Sequence, residues 1–155
     1  MDKDPIKVVK YILYKCTFYG DLITNLKMQK LLYYVYVWNL IKTSQPCFKH
    51  KFQAWPNGPV NPIAYRKLSK YNASPIGEDF LELKNDQDIK TLKEDLGVEF
   101  IALIDKVYEK YGTKSAFQLV ALTHNESPWK NAMKQSTSIK EISDKDILKE
   151  YGAKR

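Results

Sequence analysis

Leu92-Lys93-Glu94-Asp95-Leu96-Gly97-Val98-Glu99-Phe100-Ile101-Ala102-Leu103-Ile104-Asp105-Lys106-Val107-Tyr108-Glu109-Lys110-Tyr111-Gly112 decides the fold class of this chain. Leu92, Leu96, Phe100, Leu103, Val107 and Tyr111 recur at three- and four-residue spacing and draw one apolar stripe along a helix that Gly112 ends. Working outward, Ser115 with Gln118 is a capping-box pattern for a following helix toward Leu122, and Ser127-Pro128 starts a shorter one. Ser143 with Asp146 repeats the capping pattern near the C-terminus. Toward the N-terminus, Pro5 opens a helix carrying Ile6, Val9, Ile12 and Leu13, which Gly20 stops. Thr24 caps the next, with Leu31, Val35 and Trp38 on one face and Lys27, Lys30 and Asn39 largely elsewhere. Another helix runs from about Pro62 to Lys70.

Strand signals are few. Phe48 to Trp55 is short and aromatic and predicts an extended segment or small strand pair, and Phe80-Leu81-Glu82-Leu83 a second short strand within a polar connection, residues 71–88. The pattern therefore predicts a mainly α protein: a compact single-domain helical bundle of about six or seven helices with a short extended or β segment. One domain over residues 1–155 is expected, with its core at about 5–151. Tyr151-Gly152-Ala153-Lys154-Arg155 reads as a tail, flexible or ordered only in a complex.

The 155 residues, 44% hydrophobic, suffice for a core without a metal or disulfide. No apolar run approaches the roughly 18 residues of a membrane helix, so no membrane partner is expected. The polar start Met1-Asp2-Lys3-Asp4 is unlike a signal peptide, and Cys16 and Cys47 give no disulfide framework. A cytoplasmic location follows as an expectation. The net charge of +7 is lopsided: residues 1–70 carry 12 basic and 3 acidic side chains, residues 71–155 carry 13 and 15. Such a basic half suits an acidic protein or nucleic acid. Arg66 and Arg155 are the only arginines, which argues against base reading.

Catalytic chemistry is thin. No P-loop or dinucleotide fingerprint occurs, and Cys47-Phe48-Lys49-His50 is the only close cysteine–histidine spacing. A zinc site would need Cys16 and His124 to converge on it; an enzyme would need Cys47, His124 and Glu126 in one pocket. No catalytic residue, metal or cofactor is expected.

Two aromatic turns remain. In Ala54-Trp55-Pro56-Asn57-Gly58-Pro59-Val60-Asn61-Pro62, Pro56 suits the second position of a β-turn, with Asn57 third and Gly58 fourth. Asn61-Pro62 then reads as a helix cap with proline in the first turn, and Ser127-Pro128 as the same device before Trp129. His124 is either a structural ring tied by backbone hydrogen bonds, or a surface contact or base. Trp55 and Trp129 either plug the core or serve as contact hot spots. Tyr33, Tyr34 and Tyr36 cover several faces of one helix, so at least one is expected at the surface.

Thr24-Asn25-Leu26-Lys27-Met28-Gln29-Lys30-Leu31-Leu32-Tyr33-Tyr34, then Ala54 to Val60 followed by Tyr65, then Leu122-Thr123-His124-Asn125-Glu126-Ser127-Pro128-Trp129, resemble three motifs of the Panacea-domain proteins, in that family's order. These are SocA-like antitoxins related to phage-associated GepA-like proteins, and the similarity covers about residues 5–151. The resemblance implies an antitoxin that binds a cognate toxin protein; one branch instead acts as an adaptor delivering its toxin to a cytoplasmic protease. A nucleic-acid-binding regulator is the other alternative. On the antitoxin reading, toxin contacts are expected from Lys27, Lys30, Tyr34, Trp55, Asn57, Gly58, Pro59, Tyr65, Arg66 and Lys67. His124 and Trp129 would form a structural or contact turn.

Overall fold

Asn25–Thr43 forms the second and longest helix, α2, and everything else is arranged around it. In this computed structural model, residues 2–152 are described. The Thr24 hydroxyl caps α2 by accepting from the Lys27 N–H (3.3 Å). Helix α1 (Pro5–Tyr19) precedes it, capped by Asp4 and ended at Gly20, whose φ of 74° is the left-handed conformation glycine takes freely. After α2 come a hairpin of β1 (Gln53–Trp55) and β2 (Gly58–Val60), then α3 (Pro62–Leu68), α4 (Asp86–Leu96), α5 (Val98–Tyr111), α6 (Ala116–His124), α7 (Ser127–Met133) and α8 (Asp144–Gly152). The fold is mainly α, as the periodicity predicts, with eight helices among the described residues against an expected six or seven.

The long stripe is two helices. Gly97 adopts φ 87° and closes α4 before α5 begins. The buried face continues across the break: Leu92 and Leu96 face the core from α4, while α5 buries Phe100, Ile104, Val107 and Tyr111 and leaves Leu103 half-exposed. Phe80 to Leu83 is not a strand; Glu78–Leu81 is a single 3-10 turn that buries Phe80. The connection before α4 is pinned instead by Ile76 N–H donating to Ile23 O (2.8 Å).

Helix α2 is packed against α1, α3, α5, α6, α8 and β2, so it has no solvent face over most of its length. The expectation that one of Tyr33, Tyr34 and Tyr36 reaches the surface is therefore wrong: all three are at most 1% exposed. Burial is tolerable because the hydroxyls find partners, Tyr34 donating to Glu126 Oε1 (2.9 Å) and Tyr36 to Asp144 Oδ1 (2.6 Å). Tyr151 is likewise a core residue of α8 rather than part of a tail. Residues 153–155 lie outside the described residues.

Candidate functional site

The three sequence motifs meet at the hairpin. Trp55 and Gly58 are the last antiparallel pair, so Pro56-Asn57 is a two-residue turn, as its composition predicts. The hairpin lies directly on α2 and α6. A Cβ on Gly58 would stand 2.5 Å from Lys30 Cε and 3.0 Å from Thr123 Oγ1, and the residue has φ 108°. Only glycine permits that approach. A chain segment from beyond α7 flanks the other edge, where Ala54 N–H donates to Lys140 O (2.7 Å) and Ile142 N–H to Phe52 O (2.8 Å).

Beneath the hairpin runs a buried polar ladder. Asn61 N–H donates to Gln29 Oε1 (2.9 Å), Gln29 Nε2 to Asn25 Oδ1 (2.9 Å), and Asn25 Nδ2 to Tyr65 O (3.3 Å). Asn61 Oδ1 also caps α3 by accepting from the Ala64 N–H (3.1 Å), the role its place before Pro62 predicts. Lys30 Nζ donates to Pro59 O (3.1 Å) from a site with no exposure, and desolvation there lowers its pKa to about 7.

Aromatic contacts lock the late motif to the same turn. Trp129 Nε1 donates to Trp55 O (2.9 Å), and the Trp129 ring stacks on His124 with centroids 3.9 Å apart. Trp55 meets Tyr65 edge-on at 4.8 Å and donates from Nε1 to Gln53 Oε1 (2.9 Å). His124 therefore uses its face; its Nε2 is buried without a hydrogen-bond partner, contrary to a ring tied by backbone carbonyls. Ser127 also differs from Asn61. Glu126 occupies the cap position, and Ser127 N–H instead donates to Glu150 Oε1 of α8 (2.7 Å).

The residues singled out for toxin contact fall into three environments. Asn57, Arg66 and Lys67 are exposed; Trp55 and Tyr65 are half-buried beside them. Lys30, Tyr34, Gly58 and Pro59 are buried, so none of these four offers its side chain to a partner's surface. Sequence reading placed Lys30 outside the apolar face, but α2 is enclosed and the lysine tip lies under the hairpin. Half-buried Lys27 donates to Gly112 O (2.6 Å), at the α5–α6 connection rather than at the hairpin. Asn25 and Gln29 carry the buried ladder and are not among the residues expected to contact a toxin. Asn25 and Gln29, four apart and so neighbours on one face of α2, are the available signal.

Cys47 and His50 do not share a site: Cys47 is buried beside Lys3, His50 is exposed. Burial pushes the Cys47 thiol pKa well up, the reverse of what a nucleophile needs. Cys16 is likewise buried and its thiol pKa raised by desolvation. Among the described residues no helix is long and apolar enough to cross a membrane.

The residues that brace the aromatic hairpin on buried side chains of α2 lie largely within a stretch that matches a known family. Residues 28–130 match the Antitoxin SocA-like, Panacea domain model, and this chain belongs to that family. The matched span begins inside the first motif and contains the other two whole. The chain is similar to Antitoxin SocA of Caulobacter vibrioides (strain NA1000 / CB15N), at 35% identity over 120 residues. That alignment covers 69% of this chain and 58% of the curated relative. No solved structure gives a significant match.

Proposed function

We propose that this chain is an antitoxin that neutralises a cognate toxin protein by direct binding, through the face formed by the hairpin turn and α3. Asn57, Arg66 and Lys67 supply the exposed polar and cationic contacts, and Trp55 and Tyr65 the half-buried aromatic ones. Lys30, Tyr34, Gly58, Pro59, His124 and Trp129 hold that face from beneath. The observation that carries the reading is the convergence of all three motifs on one short, rigid turn. Pre-ordering a contact surface lowers the entropy lost on binding. Exposed cations on it favour an acidic toxin surface and faster association. A single domain over residues 1–155, acting in the cytoplasm, belongs to the same reading, as does Lys27 at its margin.

The test is co-expression with the toxin encoded by the adjacent gene, followed by affinity measurement. Growth rescue at unchanged toxin abundance supports neutralisation by binding. Rescue with falling toxin abundance assigns the chain to delivery for proteolysis. Binding should weaken by about tenfold or more in Arg66→Glu with Lys67→Glu, judged against an unchanged circular dichroism spectrum. Folded variants that bind with wild-type affinity place the interface elsewhere. A specific shift of operator DNA without toxin binding would favour a nucleic-acid regulator.

A further inference from the structure

We infer that the seam between α2 and α5 is a second docking surface, and that its occupant is the acidic amphipathic helix of a partner protein. The seam is an open groove of about 600 Å³ lined by Trp38, Ile41, Leu103, Val107 and Tyr111, with Lys42, Lys106 and Lys110 also lining it. It shares Lys42 and Leu103 with a further depression of about 300 Å³ that includes Lys3 and Val98, the latter 86% exposed. Leu103, packed against the core on one side, lines both depressions and joins them.

Charge distinguishes this groove from the other cavities. Its two parts are lined by four lysines and one carboxylate, Glu99. Among the described residues, none of Lys3, Lys42, Lys106 and Lys110 makes an ion pair. Lys110 Nζ lies over Trp38 (4.9 Å) and Tyr111 (5.3 Å), and Lys3 Nζ over Phe100 (5.6 Å). The cavity beside Tyr14 instead mixes Lys90 and Lys93 with Asp86 and Glu94, and that beside Tyr19 mixes Lys15 and Lys27 with Asp21, Asp105 and Glu109. Apolar walls with unpaired cations along them suit a ligand that carries an apolar ridge flanked by carboxylates. A helix is that shape, and the space between two helices is where its ridge fits. Nucleic acid fits less well: Trp38 is engaged edge-on by Tyr151 (5.5 Å) and by its own Nε1 bond to Tyr111 Oη (2.9 Å), so it is not free to stack on a base.

The test uses the full chain labelled with nitrogen-15 and a helical peptide of roughly 16 residues, with leucines at i, i+3, i+7 and i+10 and glutamates on both flanks. The same leucines flanked by lysines serve as control. The glutamate peptide should shift the indole N–H signal of Trp38 and leave those of Trp55 and Trp129 in place. Its affinity should fall by about tenfold in Lys106→Glu with Lys110→Glu, and by less in Lys106→Gln, with dichroism unchanged. No shift at millimolar peptide, equal binding of the two peptides, or shifts confined to Trp55 and Trp129 would overturn the inference. Binding of oleate with no peptide binding would assign the groove to a small amphiphile. A dimer of the free chain that the Lys106→Glu, Lys110→Glu change dissociates would assign it to a second copy. Either result overturns the proposed occupant, and neither bears on the hairpin face.

Discussion

Lys30 lets the buried architecture of the hairpin be read through pH. Its ammonium has no exposure, and burial lowers its pKa to about 7. In the unfolded chain the group titrates near 10.4. Between those values the unfolded state holds a proton that the native state has released. Raising the pH through this window therefore stabilises the fold, at up to about 1.4 kcal/mol per pH unit. Below about 7 both states are protonated and the contribution is flat, with the full burial penalty in force. Integrating a folded pKa of 7 from about pH 6 to about pH 8.5 gives a gain of about 2 kcal/mol. Lys30→Met keeps the length and most of the volume of the side chain but cannot titrate.

Urea unfolding of both proteins across that range supplies the readout, taken as wild type minus variant at each pH. Taking the difference removes Cys16 and Cys47, whose pKa values are raised in the fold and whose ionisation in the unfolded chain pulls stability the opposite way above about 8.5. Loss of the bond to Pro59 O shifts the variant by a pH-independent offset and leaves the slope intact. A difference that rises by about 2 kcal/mol confirms a buried, nearly neutral lysine. A difference that stays flat would show that Lys30 keeps its ordinary charge, and that the hairpin does not seal α2 from water.

Gly58→Ala should lower stability by about 2–3 kcal/mol, because φ 108° and the approach to Lys30 Cε both oppose a Cβ; differential scanning calorimetry should show Tm down by several degrees. Gly97→Ala is the control for backbone strain alone: φ is 87°, but the nearest atom is Lys3 Nζ at 3.8 Å, so about 1–2 kcal/mol is expected by the same measurement. Tyr34→Phe removes a buried donor to the Glu126 carboxylate and should cost about 1.5–3 kcal/mol in urea unfolding.

Four helix starts were legible because capping is local. Thr24, Asn61, Ser115 and Ser143 each accept from a backbone N–H three residues on, so a short window holds the whole interaction. What failed depended on neighbours distant in sequence. Enclosure of α2 came from six other elements, and no periodicity in residues 24–43 signals it. Lysines and tyrosines on that helix therefore read as a surface when they are interior. Gly97 was hidden because a stripe can be drawn across it: Leu96 to Phe100 keeps the four-residue spacing although the helix stops between them. Ser127-Pro128 resembled Asn61-Pro62, yet Ser127 is already helical and its N–H goes to Glu150. At the candidate site the turn was readable to the residue, since Pro56, Asn57 and Gly58 each fix a local conformation. The ladder beneath it was not, because Gln29 to Asn61 spans 32 residues.

That mixture decides how the proposed interface has to be probed. Several motif residues have each other as partners: Lys30 with Pro59, Tyr34 with Glu126, Trp129 with Trp55. Changing any of them moves the hairpin as well as the fold, so lost toxin binding in Trp55→Ala would be ambiguous. Arg66 and Lys67 separate the two effects. Both are exposed, and the Arg66 Nε bond goes no further than Pro62 O in its own helix (3.1 Å). Reversing both charges should change stability by less than about 0.5 kcal/mol each. If the hairpin and α3 meet an acidic toxin, the same reversal weakens binding by about tenfold or more and slows association most at low salt. An unchanged Tm with unchanged affinity would leave the three motifs as scaffold, and would move the search for the toxin surface to the rest of the lysine-bearing exterior.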